Sequence, residues 1–186
     1  MVGAILTQNT NWKNVEAAIN NIKKAGYLDV YKLYNIPLDK LRMLIKPAGF
    51  FNIKAERLKT FVKYFWRNYS GNINLMKKQK TAFLRKEILE VKGIGPETCD
   101  SILLYALNKP VFVVDAYTKR ILLRHKLIDE QYTYDDVQSI FEKNLKKDVK
   151  LFNEYHALFV KLAKDKCKNK NPLCETCPLS NIPGLS

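Results

Sequence analysis

Apolar residues recur along this chain at helical spacing, and no stretch sustains the period-two alternation of a half-buried strand. Trp12, Val15, Ala18, Ile19 and Ile22 line one face of a helix over 11–24, with Gly26 as its stop signal. A short helix over 37–45 ends at Lys46-Pro47. Asn52 is the expected N-cap of a longer helix reaching about residue 65, with Leu58, Phe61 and Phe65 turned inward. Further helices are expected over 81–90, from Pro96 to about 107, from Asp115 to about 124, over 134–145 and over 149–163. The β-branched run Val111, Phe112, Val113, Val114 has strand propensity, but with no partner strand in sight it reads as a buried connector. The expected fold class is all-α.

With 186 residues, 47% of them hydrophobic, the chain can bury a sizeable core. Disorder is excluded on that composition, and no apolar run is long enough to cross a bilayer. The expected location is intracellular, in cytoplasm or nucleoid, with the protein acting as a monomer. Charge narrows the partner. Lys and Arg number 32 against 18 Asp and Glu, a formal net charge of +14. Such an excess favours a polyanion, nucleic acid first, because neutralising phosphates releases counterions. No helix pairs a strongly basic side with a bulky apolar one, so an anionic membrane surface ranks below.

Two local patterns suggest chemistry. In Leu89-Glu90-Val91-Lys92-Gly93-Ile94-Gly95-Pro96-Glu97-Thr98, glycines flank a single apolar plug between two helices. Gly93 and Gly95 permit a tight turn and close backbone approach, while Ile94 pins the helices from within. The amides opening the second helix lack intrahelical acceptors, and a phosphate suits them, with Lys92 adjacent. An ordinary helix-helix connection would also contain glycine. Phosphate contacts position a duplex without reading its sequence. One helix downstream, Asp115 follows the apolar run Val113-Val114. Either it is a plain N-cap, or it is a partly desolvated carboxylate brought back beside the backbone that the hairpin holds.

Taken with Gly3-Ala4-Ile5-Leu6-Thr7-Gln8-Asn9-Thr10 and Lys46-Pro47-Ala48-Gly49-Phe50-Phe51-Asn52-Ile53-Lys54-Ala55, these motifs resemble the endonuclease III (helix-hairpin-helix-GPD) superfamily of DNA glycosylases. Within it the chain is most similar to the monofunctional 3-methyladenine DNA glycosylases of endonuclease III type. The resemblance implies a two-lobed helix-hairpin-helix fold. One lobe is expected over 20–125, with the hairpin at about 81–107; the other joins 1–19 to 126–186 and carries a C-terminal cysteine loop. The chain begins within what matches the family's first core helix.

The resemblance also implies roles. Asp115 becomes the catalytic carboxylate, and Lys92, Gly93, Ile94 and Gly95 become the phosphate clamp on double-stranded DNA carrying a damaged base. Bifunctional members carry a Schiff-base lysine two residues after the Gly-x-Gly turn, where this chain has Glu97. Base release without strand cleavage is therefore expected. Trp12 and Glu97 are assigned to the base pocket, with Trp12 as the stacking platform, although periodicity alone makes Trp12 a core residue. Asn9 and Phe50 are assigned to intercalation into the duplex.

Cys167-x6-Cys174-x2-Cys177 followed by Pro178 matches the start of the family's iron-sulfur loop. Pro183 stands where the pattern needs a fourth cysteine, and Cys99 lies in the hairpin helix. Three thiolates leave open a 4Fe-4S or 3Fe-4S cluster, a zinc ion or an empty loop. His156 and His125 read as structural residues. The expected activity is hydrolytic release of alkylated purines, 3-methyladenine first. A glycosylase for oxidised pyrimidines or mismatched thymine, and a catalytically silent helix-hairpin-helix DNA-binding protein, are the alternatives.

Overall fold

The computed structural model describes residues 1–180, and among them it contains helices and connecting segments but no strand. Packing divides the chain into two units, Met1–Asn108 and Lys109–Ser186. The break falls where Asn108 takes a left-handed φ of 54° and Pro110 follows.

The first unit comprises α1 (Val2–Leu6), α2 (Trp12–Lys24), α3 (Val30–Asn35), α4 (Leu38–Leu44), α5 (Phe51–Tyr69), α6 (Ile73–Lys78), α7 (Thr81–Leu89) and α8 (Pro96–Ser101). The last continues as a π-helical stretch, Ile102–Ala106. α5 is the central element. Ala55, Leu58, Phe61, Val62 and Phe65 are buried along it, and full burial of each large side chain stabilises by roughly 1.5–3 kcal/mol. Its polar residues also hold neighbours in place. Lys59 Nζ donates to the carbonyls of Leu33 (3.2 Å), Tyr34 (2.5 Å) and Ile36 (2.9 Å), a cation set against the C-terminal end of α3. Lys54, buried, donates to the Ala48 carbonyl at 2.7 Å, and desolvation followed by the nearby Arg57 charge lowers its pKa.

Two details depart from the sequence expectation. α3 and α6, each six residues long, are too short to show a helical period, although Asp29 and Asn72 cap them. Asn52 lies inside α5, and Phe50 occupies the N-cap position with a left-handed backbone and no side-chain cap.

In the second unit the run Val111, Phe112, Val113 and Val114 is buried and irregular, as a connector. The reason lies on α10 (Tyr134–Asn144), whose capping box pairs Thr133 with Asp136. Tyr134, Gln138 and Glu142 repeat every fourth residue on α10 and so share one face. Gln138 Nε2 donates to the Phe112 carbonyl at 2.6 Å, Glu142 Oε1 accepts from the Phe112 amide at 3.0 Å, and the Tyr134 hydroxyl accepts from the Val114 amide at 3.3 Å. Side chains of one helix thus satisfy backbone groups that a neighbouring strand would otherwise pair. Phe112 stacks on Phe141 with centroids 3.9 Å apart and meets Phe152 edge-on. α9 (Ala116–Arg124) packs against α11 (Val149–Asp165), burying Ile121 and Ala163 with Tyr117, Phe159 and Leu162 partly covered. Among the described residues no helix is long and apolar enough to cross a membrane.

Candidate active site

The hairpin of the first unit forms as the glycine pattern requires. Val91 donates to the Ile88 carbonyl and Ile94 to the Val91 carbonyl, closing the turn, and Ile94 is buried beneath it. Gly93 has φ +91°, a region that favours glycine. A Cβ there would stand 2.5 Å from Arg57 Cγ, so the position excludes side chains on two independent grounds. Gly95 is different. Its backbone is extended, and a Cβ would meet nothing within 4 Å. Nothing among the described residues crowds that position, which is open to the outside. Among the described residues, the Gly93 and Gly95 amides have no partner. Lys92 and Glu97 are exposed on either side.

Three contacts fix this turn. Gln8 Nε2 donates to the Gly93 carbonyl at 3.3 Å and to Thr98 Oγ1 at 2.9 Å, while Arg57 donates to Gln8 Oε1. Gln8, just after α1, and Arg57, on α5, therefore hold the hairpin from beneath. Sequence reasoning missed both, because their partners lie far away along the chain. α7 and α8 are further joined by Arg85 and Asp100: Nε donates to Oδ1 at 2.9 Å and Nη2 to Oδ2 at 3.2 Å, with the Asp100 side chain fully buried.

Trp12 is not a core residue. It opens α2 with 51% of its surface exposed, its indole N–H donates to Glu16 Oε1 at 2.8 Å, and its ring covers Gly3. Asn9 and Phe50 are both exposed and both left-handed, with φ of 54° and 44°. For a bulky aromatic this is a strained conformation, and Gly49 before it is also at positive φ.

Asp115 heads α9 in the second unit. Its Oδ1 accepts from the Thr118 amide at 2.7 Å and the Thr118 hydroxyl at 2.9 Å, so the residue is an N-cap. It is more than that. Oδ2 lies 3.4 Å from His156 Nε2, with side-chain exposures of 11% and 14%. Burial alone would raise the carboxyl pKa, but the facing His156 imidazole and the hydrogen bonds from Thr118 together hold it below the ordinary aspartate value. Asp115 is therefore an anion at neutral pH, suited to stabilising positive charge or accepting a proton from water. His156, which reads as structural in the sequence, lies against the Asp115 carboxylate. Asp115 and His156 are 41 positions apart, and no local pattern joins them.

The cysteines do not gather. Cys167 is buried, its Sγ is 3.3 Å from Arg124 Nη1, and its carbonyl accepts from Arg120 Nε at 3.0 Å; Cys174 is exposed. Arg124 also donates to the carbonyls of Lys168 and Asn169. Among the described residues no three His, Cys, Asp or Glu side chains converge on a metal position, and Pro183 lies outside the described residues. In this arrangement the donors do not fit an iron-sulfur cluster, and the arginines of α9 fasten the start of the loop. Cys99 is buried in α8, its thiol pushed up to about 12 by desolvation, with Asp100 adding to the shift and Arg85 opposing it.

Residues 2–147 match the family described as HhH-GPD superfamily base excision DNA repair protein. A Methanocaldococcus jannaschii protein, provisionally named a DNA repair glycosylase, is 52% identical over 183 residues, spanning 98% of this chain and 83% of that one. The crystal structure of the H. pylori 3-methyladenine DNA glycosylase bound to 1,N6-ethenoadenine is similar at a TM-score of 0.74 and 29% identity, covering 88% of this chain and 82% of that one. An endonuclease III–DNA complex shares the fold at a TM-score of 0.81 and 19% identity, covering 96% and 78%.

Proposed function

The chain belongs to the HhH-GPD superfamily of base excision DNA repair proteins as a DNA glycosylase, and from that premise we propose that it hydrolyses alkylated purines, 3-methyladenine first, from double-stranded DNA and leaves the strand uncut. The observation that carries this reading is the Asp115 carboxylate, held ionised at the head of α9.

As the C1′–N bond breaks, its electron pair leaves with the base and positive charge builds on the deoxyribose. The Asp115 anion stabilises that charge. Water adds to C1′, and its proton passes to Asp115 or to solvent. A base that is already cationic departs neutral, so no acid is needed to protonate it. The flipped base needs an aromatic surface, and the half-exposed indole of Trp12 supplies one that favours a cation. The likeness to a 3-methyladenine DNA glycosylase supports the same substrate class.

The amides of Gly93 and Gly95, with Lys92, hold a phosphate of the lesion strand. Asn9 fills the vacated stack and Phe50 wedges the opposite strand, roles for which their exposure and the strained backbone of Phe50 suit them. Glu97 cannot form a Schiff base, so the product is an intact abasic strand.

Single-turnover base release from methylated duplex, wild type against Asp115→Asn, tests this. Free 3-methyladenine without a strand break before alkali, lost in the variant while DNA affinity persists, is the expected result. Release of oxidised pyrimidines or mismatched thymine instead would move the substrate class. A borohydride-trapped adduct would overturn the monofunctional reading. No release from any lesion, with salt-dependent binding intact, would leave a silent DNA-binding protein.

A further inference from the structure

The two oxygens of Asp115 are used differently. Oδ1 is occupied by the amide and hydroxyl of Thr118 on its own helix. Oδ2 faces the imidazole of His156, carried on α11, at 3.4 Å. Among the described residues the groups placed against the carboxylate are thus Thr118 from α9 and His156 from α11, and of these His156 can carry charge. Both side chains are largely withdrawn from water, which strengthens any interaction between them. A fixed N-cap restrains one oxygen, but the carboxyl group still needs a second contact to set the direction of the other.

We propose that His156 is a positioning residue for Asp115, its Nε2–H orienting Oδ2 as the working oxygen while Thr118 retains Oδ1. This rests on the reading of Asp115 as the catalytic carboxylate. The gap of 3.4 Å is long for a hydrogen bond in the unliganded protein, and such contacts tighten when charge develops at the reacting centre. A protonated imidazole here keeps the carboxylate ionised further into the acid range, and its removal gives that up.

The experiment has one arm without DNA and one with it. Carbon-13 NMR of the Asp115 carboxyl, assigned through Asp115→Asn, gives its titration midpoint in the folded protein. The expected wild-type midpoint is below the ordinary value of about 3.9. It moves upward in His156→Gln and part of the way back in His156→Lys, which restores a cation. Equal midpoints in the three proteins would overturn the proposal. Should His156→Gln not fold, a wild-type midpoint at or above the ordinary value overturns it without the variant.

In the second arm, single-turnover base release from methylated duplex is measured across pH. His156→Gln should lose about tenfold to a hundredfold in rate, the scale of a misplaced catalytic group, with DNA affinity unchanged. Its acid limb should move to higher pH. An unchanged rate and an unchanged pH profile would mark His156 as packing only and overturn the proposal. If the wild type releases no base, the glycosylase reading has failed, and the NMR midpoints still decide whether His156 holds Asp115.

Discussion

The side chain of Arg57 lies directly beneath Gly93, so that a Cβ on the glycine would stand 2.5 Å from Arg57 Cγ. The same guanidinium donates to Gln8, which in turn donates to the Gly93 carbonyl. The hairpin turn is thus built against a polar strut, and the absence of a side chain at Gly93 is what admits it.

Gly93 and Gly95 should therefore respond in opposite ways to alanine. Gly93→Ala has to adopt a left-handed φ and displace Arg57, and should cost about 1–3 kcal/mol of stability. Gly95→Ala meets open space with an extended backbone, so its stability should stay within about 0.5 kcal/mol of wild type. Its affinity for undamaged duplex should nevertheless fall, because the added methyl obstructs an approaching phosphate. Urea unfolding and a DNA titration on both variants check this; equal stability loss in the two would show that the strut does not determine the turn.

The Arg85–Asp100 pair ties α7 to α8 through two hydrogen bonds, with the carboxylate fully buried. Asp100→Ala takes the buried carboxylate and its two hydrogen bonds from the largely enclosed Arg85 guanidinium and should cost roughly 3–5 kcal/mol. The double variant Arg85→Met with Asp100→Leu should recover much of that loss, since an apolar pair of similar volume avoids the desolvation penalty. Urea midpoints of the single and double variants separate the two cases, and additive losses would count against this account.

What the sequence disclosed follows the range of the interactions. The Gly93–Gly95 turn and the Asp115 cap of α9 are written in neighbouring residues, and each stands where the pattern puts it. The run Val111 to Val114 is legible as a connector only by elimination; the satisfaction of the Phe112 backbone by Gln138 and Glu142, and of the Val114 amide by Tyr134, depends on α10 lying alongside. Gln8, Arg57 and His156 were invisible as site residues because each acts on a group tens of positions away. Trp12 was ambiguous for a different reason. As the first residue of α2 it lies at the edge of the apolar stripe, where periodicity cannot separate an inward ring from one lying over Gly3.

Lys92 is exposed beside the hairpin turn. As one phosphate contact among several, it should affect binding to all sequences alike. Lys92→Ala should weaken duplex affinity and make the plot of log K against log salt shallower by about 0.9, the value for one phosphate contact. The ratio of damaged to undamaged affinity should not change. Binding isotherms over a salt series provide the slope, and an unaltered slope would remove Lys92 from the clamp.

Asp115 links stability to pH in a direction that can be worked out. Hydrogen bonding from His156 and Thr118 outweighs burial and holds its folded-state pKa below that of an unfolded aspartate, about 3.9. Between those two values the unfolded chain binds more protons than the folded one, so acid favours unfolding. The ionised side chain therefore contributes stability that is fully present above the unfolded pKa and is lost as pH falls through the folded one. Asp115→Asn cannot ionise and has no such component. On acidification below about pH 5 the stability difference between wild type and Asp115→Asn should shift against the wild type. Urea unfolding of both proteins over that range measures it. A difference that moves in favour of the wild type as pH falls would mean that burial dominates and that Asp115 is held with a raised pKa, as an acid rather than as the anion the mechanism needs.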